Sequence, residues 1–252
     1  MDETIKEGKY IYCIIAAEVQ KTFGSLGIGS RGDELYTICF KDIAAVVSNS
    51  PIKKYSVSRE NTLAHEKAIE IVMNDHTVLP VRFATIAEDE KKVNSILEKE
   101  YDKFKKLLEK MNEKKELGLK AILKEDVIYQ VILDKNKDIR NLKEQLAGIP
   151  PEKTYFKRMK IGEMVESALQ KEKEYFNKDI MDVLSPLAAE VKNNNSYYEM
   201  IIVNAAFLVE KNKEPEFYEK VNMLEAKHSS MLKFKYVNMV PPFNFVNLVI
   251  NI

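Results

Sequence analysis

A glycine-rich segment and three histidines are the parts of this chain whose residue types could do chemistry. The segment from Gly27 to Gly32 matches the G-x-G-x-x-G pattern of dinucleotide-binding loops. Such a loop needs a strand directly before it and a helix that opens at it, so that the helix N-terminus meets the pyrophosphate. Here the preceding apolar run ends near Ala17, and the next run along the chain, Leu35–Phe40, is again strand-like. We therefore interpret the segment as a flexible loop. An enzyme that binds a nucleotide or small molecule there is kept as the alternative.

The histidines do not form a recognisable metal site. A zinc site would add cysteine or acidic ligands at helical or turn spacing. His65 and Glu66 do not begin an H-E-x-x-H motif, because Ile69 occupies the last position. His65 lies beside the apolar stripe of a predicted helix, so we expect a packed or surface-contact side chain. His76 falls in a predicted turn and His228 at a predicted helix end. No metal is predicted.

No other motif predicts catalysis. The sequence has no G-x-S-x-G elbow and no P-loop. The acidic run Glu88-Asp89-Glu90 stands where a helix should begin, and its charge is favourable at a helix N-terminus. No nucleophile and base stand at a supporting spacing. We therefore predict a protein that is not an enzyme and needs no cofactor.

Composition narrows the possible partners. The chain has 252 residues, with 39 basic and 39 acidic side chains and a formal net charge of zero. A neutral total argues against a nucleic-acid binder that relies on a basic field. No apolar run approaches the roughly 20 residues of a membrane span, and Met1–Lys9 has no apolar signal core. Cys13 and Cys39 are expected to be reduced thiols. We predict a cytoplasmic protein that binds neither nucleic acid nor membrane.

The first part of the chain predicts a small mixed sheet with helices. Apolar and β-branched runs predict strands and a 3.6-residue period predicts helices. The predicted strands are Tyr10–Ala17, Leu35–Phe40, Ile43–Ser48 and Thr77–Phe83; the predicted helices are Arg59–Asn74, capped by Ser58, and Glu88–Lys115. This order suits a ferredoxin-like domain over residues 1–115.

The second part predicts another α+β domain, over residues 116–252. Its predicted strands are Leu117–Lys124, Tyr198–Val209 and Leu232–Val240, and its predicted helices are Glu125–Ala147 and Glu214–Lys227. The stretch from Thr154 to Lys192 has a 3.5-like period, which favours two helices packed as a short antiparallel coiled coil. We expect a helical hairpin over about residues 125–192. The predicted fold class is therefore α+β, with a ferredoxin-like N-terminal domain and long coiled-coil-like helices behind it.

One predicted strand is unusual. The run from Val78 to Phe83 contains Pro80, which cannot donate to a sheet ladder and so implies an edge position or a bulge. It also contains Arg82, which either pairs inside the protein or faces a partner. A free strand edge could pair with another chain.

The same run carries a family resemblance. Val78-Leu79-Pro80-Val81-Arg82-Phe83, preceded by a helix with His65, resembles the "H…VLPxRFGT" signature of the gas vesicle protein F and L family, with Ala84 in place of its glycine. Further segments resemble the family in the same order. They are Gly27–Gly29, Ile43–Ser48 ("AAVVS"), Asn204–Val209 ("NAAFLV") and Pro241–Val246 ("GPWPPYSFV"), where Met239 and Val240 replace part of the last pattern.

The resemblance implies an accessory or minor structural protein of gas vesicles, located at the vesicle and in the cytoplasm. Such a protein is expected to bind the small hydrophobic shell protein and other accessory proteins during assembly. It implies a ferredoxin-like N-terminal domain and a C-terminal domain with coiled-coil helices, and no catalytic residue or cofactor. We expect the partner-binding residues in the unusual strand, the His65 helix and the aromatic tail: His65, Leu79, Pro80, Arg82, Phe83, Pro241, Pro242 and Phe243.

Overall fold

The computed structural model describes residues 6–29, 31–196 and 198–250. The chain divides into two compact units. The first is Met1–Glu116 together with Asn238–Ile252, and the second is Leu117–Val237. The predicted boundary after residue 115 lies next to this division. The tail was predicted to lie in the second domain, but it belongs to the first unit.

The first unit is built on an antiparallel sheet with strand order β2-β3-β4-β1-β5, in which β6 also pairs with β1. The strands are β1 Glu7–Ala16, β2 Thr22–Ser25, β3 Glu34–Phe40, β4 Ile43–Pro51, β5 Val78–Pro80 and β6 Ile86–Ala87. Strand β2 lies in the stretch Thr22–Asp33, for which the sequence predicts a glycine-rich loop and no strand. Strand β5 is shorter than Thr77–Phe83, and it ends the strand order, as expected for a strand that contains Pro80.

Three helices accompany this sheet: α1 Arg59–Met73, α2 Glu90–Lys99 and α3 Tyr101–Met111. Ser58 caps α1 by accepting a hydrogen bond from the Asn61 amide, as predicted. The single helix predicted over Glu88–Lys115 is wrong, because the chain leaves helical geometry at Glu100 (φ −101°, ψ 11°). The apolar spacing continues across this break, so periodicity could not reveal it.

The second unit has a four-stranded sheet with order β10-β7-β9-β8. Its elements are β7 Lys114–Leu123, α4 Glu125–Lys135, α5 Lys137–Gln145, α6 Pro151–Leu184, β8 Glu190–Asn193, β9 Ile201–Glu210, α7 Glu214–His228 and β10 Leu232–Val240. Strand β8 was not predicted. This segment has little apolar pattern of its own, and antiparallel pairing with β9 holds it in an extended conformation.

The helices of the second unit correct two predictions. The stretch Glu125–Ala147 holds two helices, with a break at Asn136, whose side chain donates to the Ile132 carbonyl at 2.8 Å. The stretch from Thr154 holds one continuous helix, α6, which begins at Pro151, where the missing amide costs nothing. The coiled-coil pair predicted within that stretch was therefore wrong. Helices α4, α5 and α7 pack on α6 instead.

The α+β class and the long helix are confirmed. Apolar side chains of each unit form their own buried core, centred on β1 and β4 in the first unit and on β7, β9 and α6 in the second. Among the described residues, no helix is both long enough and apolar enough to cross a bilayer.

Candidate functional site

The candidate site lies in the first unit, around the buried imidazole of His65. Helix α1 presents His65 with Ala68, Ile69 and Val72 on its buried face. The ring stacks on Tyr12 at 5.7 Å between centroids and meets Tyr10 edge-on at the same distance. His65 is 2% exposed. The predicted helix therefore carries this histidine into the protein and not onto its surface.

A chain of hydrogen bonds fixes the state of this ring. His65 Nε2 lies 3.1 Å from the Val81 carbonyl, which can only accept, so Nε2 carries the proton and donates. Nδ1 then accepts from the Tyr10 hydroxyl at 3.2 Å. The Tyr10 oxygen in turn accepts from the Ala84 amide at 2.8 Å. Both ring nitrogens are thus used to hold the segment from Val81 to Ala84.

Burial sets the charge of the cluster. It lowers the pKa of His65 to about 4, against the smaller opposing effect of the Val81 hydrogen bond. It raises the pKa of Tyr12 to about 12 and the pKa of Tyr10 well above its usual value. At neutral pH all three groups are uncharged. Their arrangement suits a rigid scaffold more than proton transfer at the surface.

The segment held by this network makes a turn that exposes Arg82. Ala84 has a left-handed backbone (φ 62°), and the Thr85 hydroxyl donates to the Arg82 carbonyl at 2.7 Å. The Arg82 side chain is exposed, while the Phe83 ring is half-buried and meets His65 edge-on at 5.8 Å. Arg82 therefore faces outward from a constrained turn.

The C-terminal tail lies over the same cluster. Phe243 is 39% exposed, and its ring centroid is 6.2 Å from that of His65. Asn244 donates to the Glu116 carboxylate twice, from its side-chain amide at 2.6 Å and its backbone amide at 3.1 Å. Further along, Leu248 forms an isolated parallel bridge with Val81. These contacts anchor the tail close to Phe243.

The predicted partner-binding residues are brought together, but with different exposure. His65, Leu79, Pro80, Pro241 and Pro242 are buried. Their side chains support the surface from beneath and are not accessible for contact. Among the eight, the accessible side chains are Arg82, Phe83 and Phe243, which we call the aromatic surface.

The Gly27–Gly32 loop is placed differently from a nucleotide site. The Ile28 amide donates to the Tyr12 hydroxyl at 2.7 Å, and the Gly27 amide donates to the Asp33 carbonyl at 2.9 Å. A side chain at Gly27 would approach Asp33 at 2.7 Å, so the glycine permits this turn. Ser30 lies outside the described residues. The loop leads into β3 and not into a helix, so it lacks the helix N-terminus that binds pyrophosphate.

Sequence reasoning missed four contributors: Tyr10, Tyr12, Glu116 and Asn244. Tyr10 and Tyr12 stand two residues apart in β1, so they share one face of the sheet. Two hydroxyls in the apolar run Tyr10–Ala17 were a signal of a buried polar network. The pairing of Glu116 with Asn244 spans 128 residues, and local patterns carry no trace of it.

Comparison with known proteins gives consistent matches along the chain. Residues 8–247 match the family model described as gas vesicle synthesis protein GvpL/GvpF. Gas vesicle protein F of Nostoc sp. strain PCC 7120 is 27% identical, covering 97% of this chain and 100% of that protein. Gas vesicle protein F of Dolichospermum flosaquae is 25% identical, covering 95% and 97%. The crystal structure of GvpF from Anabaena sp. PCC7120 superposes with a TM-score of 0.83 at 26% identity, covering 96% and 99%.

Proposed function

The chain belongs to the GvpL/GvpF family of gas vesicle synthesis proteins, and on that premise we propose that it is a non-enzymatic assembly factor. In this proposal it binds the small hydrophobic shell protein, together with other accessory proteins, in the cytoplasm and at the growing vesicle. An apolar subunit that polymerises needs a partner that covers its apolar or strand-edge surface until it is added.

The observation that carries the proposal is the exposed ring of Phe243 in an anchored tail. A large aromatic side chain on a rigid support loses little conformational freedom on binding, which favours tight contact. Near it in the tail, Pro242 and Phe245 are buried, and Asn244 is tied to Glu116. The ring is therefore presented in a fixed position.

Arg82 supplies the polar part of the proposed contact. Arg82 projects from a turn whose backbone is held by His65 and Tyr10. Strand β5 ends the strand order of its sheet, but Val78 and Leu79 are 3% and 0% exposed and helices α1 and α3 pack against the strand, so its edge does not offer a free pairing surface. Apolar side chains of the shell protein would instead meet the Phe243 ring, while its acceptor groups pair with Arg82.

A binding assay with matched variants tests the proposal. Purified shell subunit is captured on immobilised parent protein and on Arg82→Ala and Phe243→Ala. We expect the parent to retain the subunit and Phe243→Ala to weaken binding by about tenfold or more, as is usual for a central aromatic contact. The controls are Arg59→Ala and Val57→Ala, which remove exposed side chains of the same unit.

The outcomes test shell-protein binding and the proposed binding surface separately. No retention by the parent would refute binding to the shell subunit. Equal retention by Phe243→Ala and Val57→Ala would refute the aromatic surface alone. A reproducible rise in melting temperature with nucleotides would instead favour an enzyme or nucleotide-binding protein that uses the Gly27–Gly32 loop; we expect no such rise.

A further inference from the structure

The second unit carries an open groove between helices α4, α5 and α6. Its volume is about 750 Å³, within the range of ligand-binding clefts. The lining comes from all three helices and from the turn before α6: Gln130, Leu133, Arg140, Lys143, Glu144, Leu146, Ala147, Gly148, Arg158, Ile161 and Gly162. All of these residues belong to the second unit, so the groove is independent of the aromatic surface.

The floor of the groove is apolar and is kept open by a glycine. Leu133, Leu146 and Ile161 provide aliphatic surface. Gly162 lies inside the 34-residue helix α6, where glycine is less favourable than alanine. Its backbone is not left-handed, and an added Cβ would meet nothing within 4 Å. Neither backbone geometry nor crowding requires glycine here. What its missing side chain provides is space in the groove.

The rim of the groove is basic. Arg140, Lys143 and Arg158 line it, with Glu144 as the acidic residue of the lining. Arg158 is held in place, because its Nε donates to the Thr154 hydroxyl at 2.8 Å. In the part of the chain that the structure describes, neither Arg140 nor Lys143 forms an ion pair. The rim thus has cationic groups available to a ligand.

Exposed apolar side chains continue the groove along α6. Tyr155 stands three residues before Arg158 and seven before Gly162, which places the three on one helix face. Its side chain is 62% exposed, and that of Met159, four residues further, is 48% exposed. Large exposed apolar groups beside a basic rim are typical of a protein-binding surface.

We propose that this groove binds an acidic, amphipathic segment of a partner protein. Aliphatic or aromatic side chains of the segment would fill the floor beside Gly162, and its carboxylates would pair with Arg140, Lys143 and Arg158. Charge complementarity selects an acidic occupant. The concave floor favours a peptide over a bilayer, whose surface cannot reach it. This inference goes beyond the proposed function and does not depend on it.

A designed peptide provides the probe. The peptide is fluorescein-labelled, about 14 residues long, with leucine at helical spacing and glutamate elsewhere, and its anisotropy is measured against the full chain. A second peptide carries glutamine for glutamate and a third carries lysine. We expect the glutamate peptide to bind about tenfold or more tightly than either, and to weaken as salt rises.

Variants locate the binding. Gly162→Leu fills the floor, and the double change Arg140→Glu with Lys143→Glu reverses the rim; each should weaken the glutamate peptide by about tenfold or more. Lys233→Glu changes an exposed basic residue elsewhere in the unit and should leave binding unchanged. Circular dichroism and melting curves show whether Gly162→Leu is folded. If it is not, the rim variant decides.

Four results would overturn the inference. The first is equal binding of the glutamate and glutamine peptides, and the second is equal binding of the glutamate peptide by the parent and the rim variant. The third is cosedimentation with vesicles of phosphatidylcholine and phosphatidylserine that the rim variant abolishes, which would assign the surface to a membrane. The fourth is a dimer in sedimentation equilibrium that the peptide dissociates, which would assign the groove to a second copy of the chain.

Discussion

His65 contributes to the fold as a neutral imidazole. A histidine in water is readily protonated near pH 6.5, but this one donates from Nε2 to Val81 and accepts at Nδ1 from Tyr10. Protonation would place a charge on a buried ring and would reverse the second bond, because Nδ1 would then be a donor. The residue joins α1, β1 and the Arg82 turn while contributing no charge.

The pH dependence of stability should report this neutral state. The pKa of His65 in the folded chain is about 4, below the ordinary value of 6.5. The unfolded chain therefore binds the proton first as pH falls. The contribution of His65 is complete above about pH 6.5 and is lost progressively towards pH 4, by on the order of 3 kcal/mol.

Urea unfolding of the parent and of His65→Gln from pH 7.5 to 4 checks this. Glutamine keeps a donor and an acceptor but does not titrate. The difference in unfolding free energy between the two should shrink as pH falls through the window from 6.5 to 4. A constant difference over that window would show that His65 is not buried as a neutral base.

Ala84, which replaces the glycine of the family signature, has a backbone conformation that favours glycine. Its φ of 62° is left-handed, a conformation in which glycine is unstrained and alanine costs about 1 kcal/mol. We expect Ala84→Gly to raise the unfolding free energy by up to about 1 kcal/mol, and Ala84→Val to lower it by about 1 kcal/mol or more. Chemical denaturation measures both. The control is Ala16, an exposed strand residue, where glycine should lower stability. Equal effects at the two sites would contradict the strained turn.

Among the helices and strands, those with a clear local apolar pattern were predicted correctly from the sequence. Strand β10 was predicted with its bounds unchanged, and α1 and α7 within a residue at either end. Helix breaks at Glu100 and Asn136 were missed, because neither is a proline or glycine and the apolar spacing continues across both. Strand β8 was missed because it is defined by its pairing with β9 and not by a local apolar pattern.

For the candidate site, the sequence identified the segments that come together but not which of their residues are buried. Pro80 indicated an edge position or a bulge, but Arg82 was predicted inside the same strand, whereas it lies in the turn after β5. Which of these residues are buried depends on contacts with distant segments: Leu79 pairs with Ile14 of β1, and Val81 forms a bridge with Leu248 of the tail. Pairings of such separation, like Glu116 with Asn244, have no local signature.

Helix α6 offers a direct test of why a glycine stands in its interior. Because a Cβ at Gly162 meets nothing within 4 Å, Gly162→Ala should raise the unfolding free energy by about 0.5–1 kcal/mol. Gly148 is the matched control. It has an equally open surrounding but φ 79°, so Gly148→Ala should lower stability by about 1 kcal/mol. Thermal unfolding measures both. Destabilisation by Gly162→Ala would show that the glycine serves the helix itself and not the groove.

For the whole molecule, the first unit is completed by residues from both ends of the chain. Residues 238–252 join Met1–Glu116 in one compact unit, and Phe245, Val246 and Leu248 are buried there. We therefore expect folding of this unit to require the buried tail residues Phe245, Val246 and Leu248. The second unit, in between, has its own core.

Two neighbouring tail residues, one buried and one exposed, test whether the first unit needs the tail in order to fold. Leu248 is 2% exposed and bridges to Val81, whereas Val249 is 48% exposed. Leu248→Ala should lower the unfolding free energy of the first unit by about 2–5 kcal/mol, the usual cost of removing a buried leucine side chain. Val249→Ala should change it by less than about 0.5 kcal/mol. Hydrogen exchange should quicken in α1 and β5 for Leu248→Ala and stay unchanged in α4, α5 and α6. Similar effects of the two substitutions would mean that the tail does not belong to the core of the first unit, and the fixed position of Phe243 would lose its support.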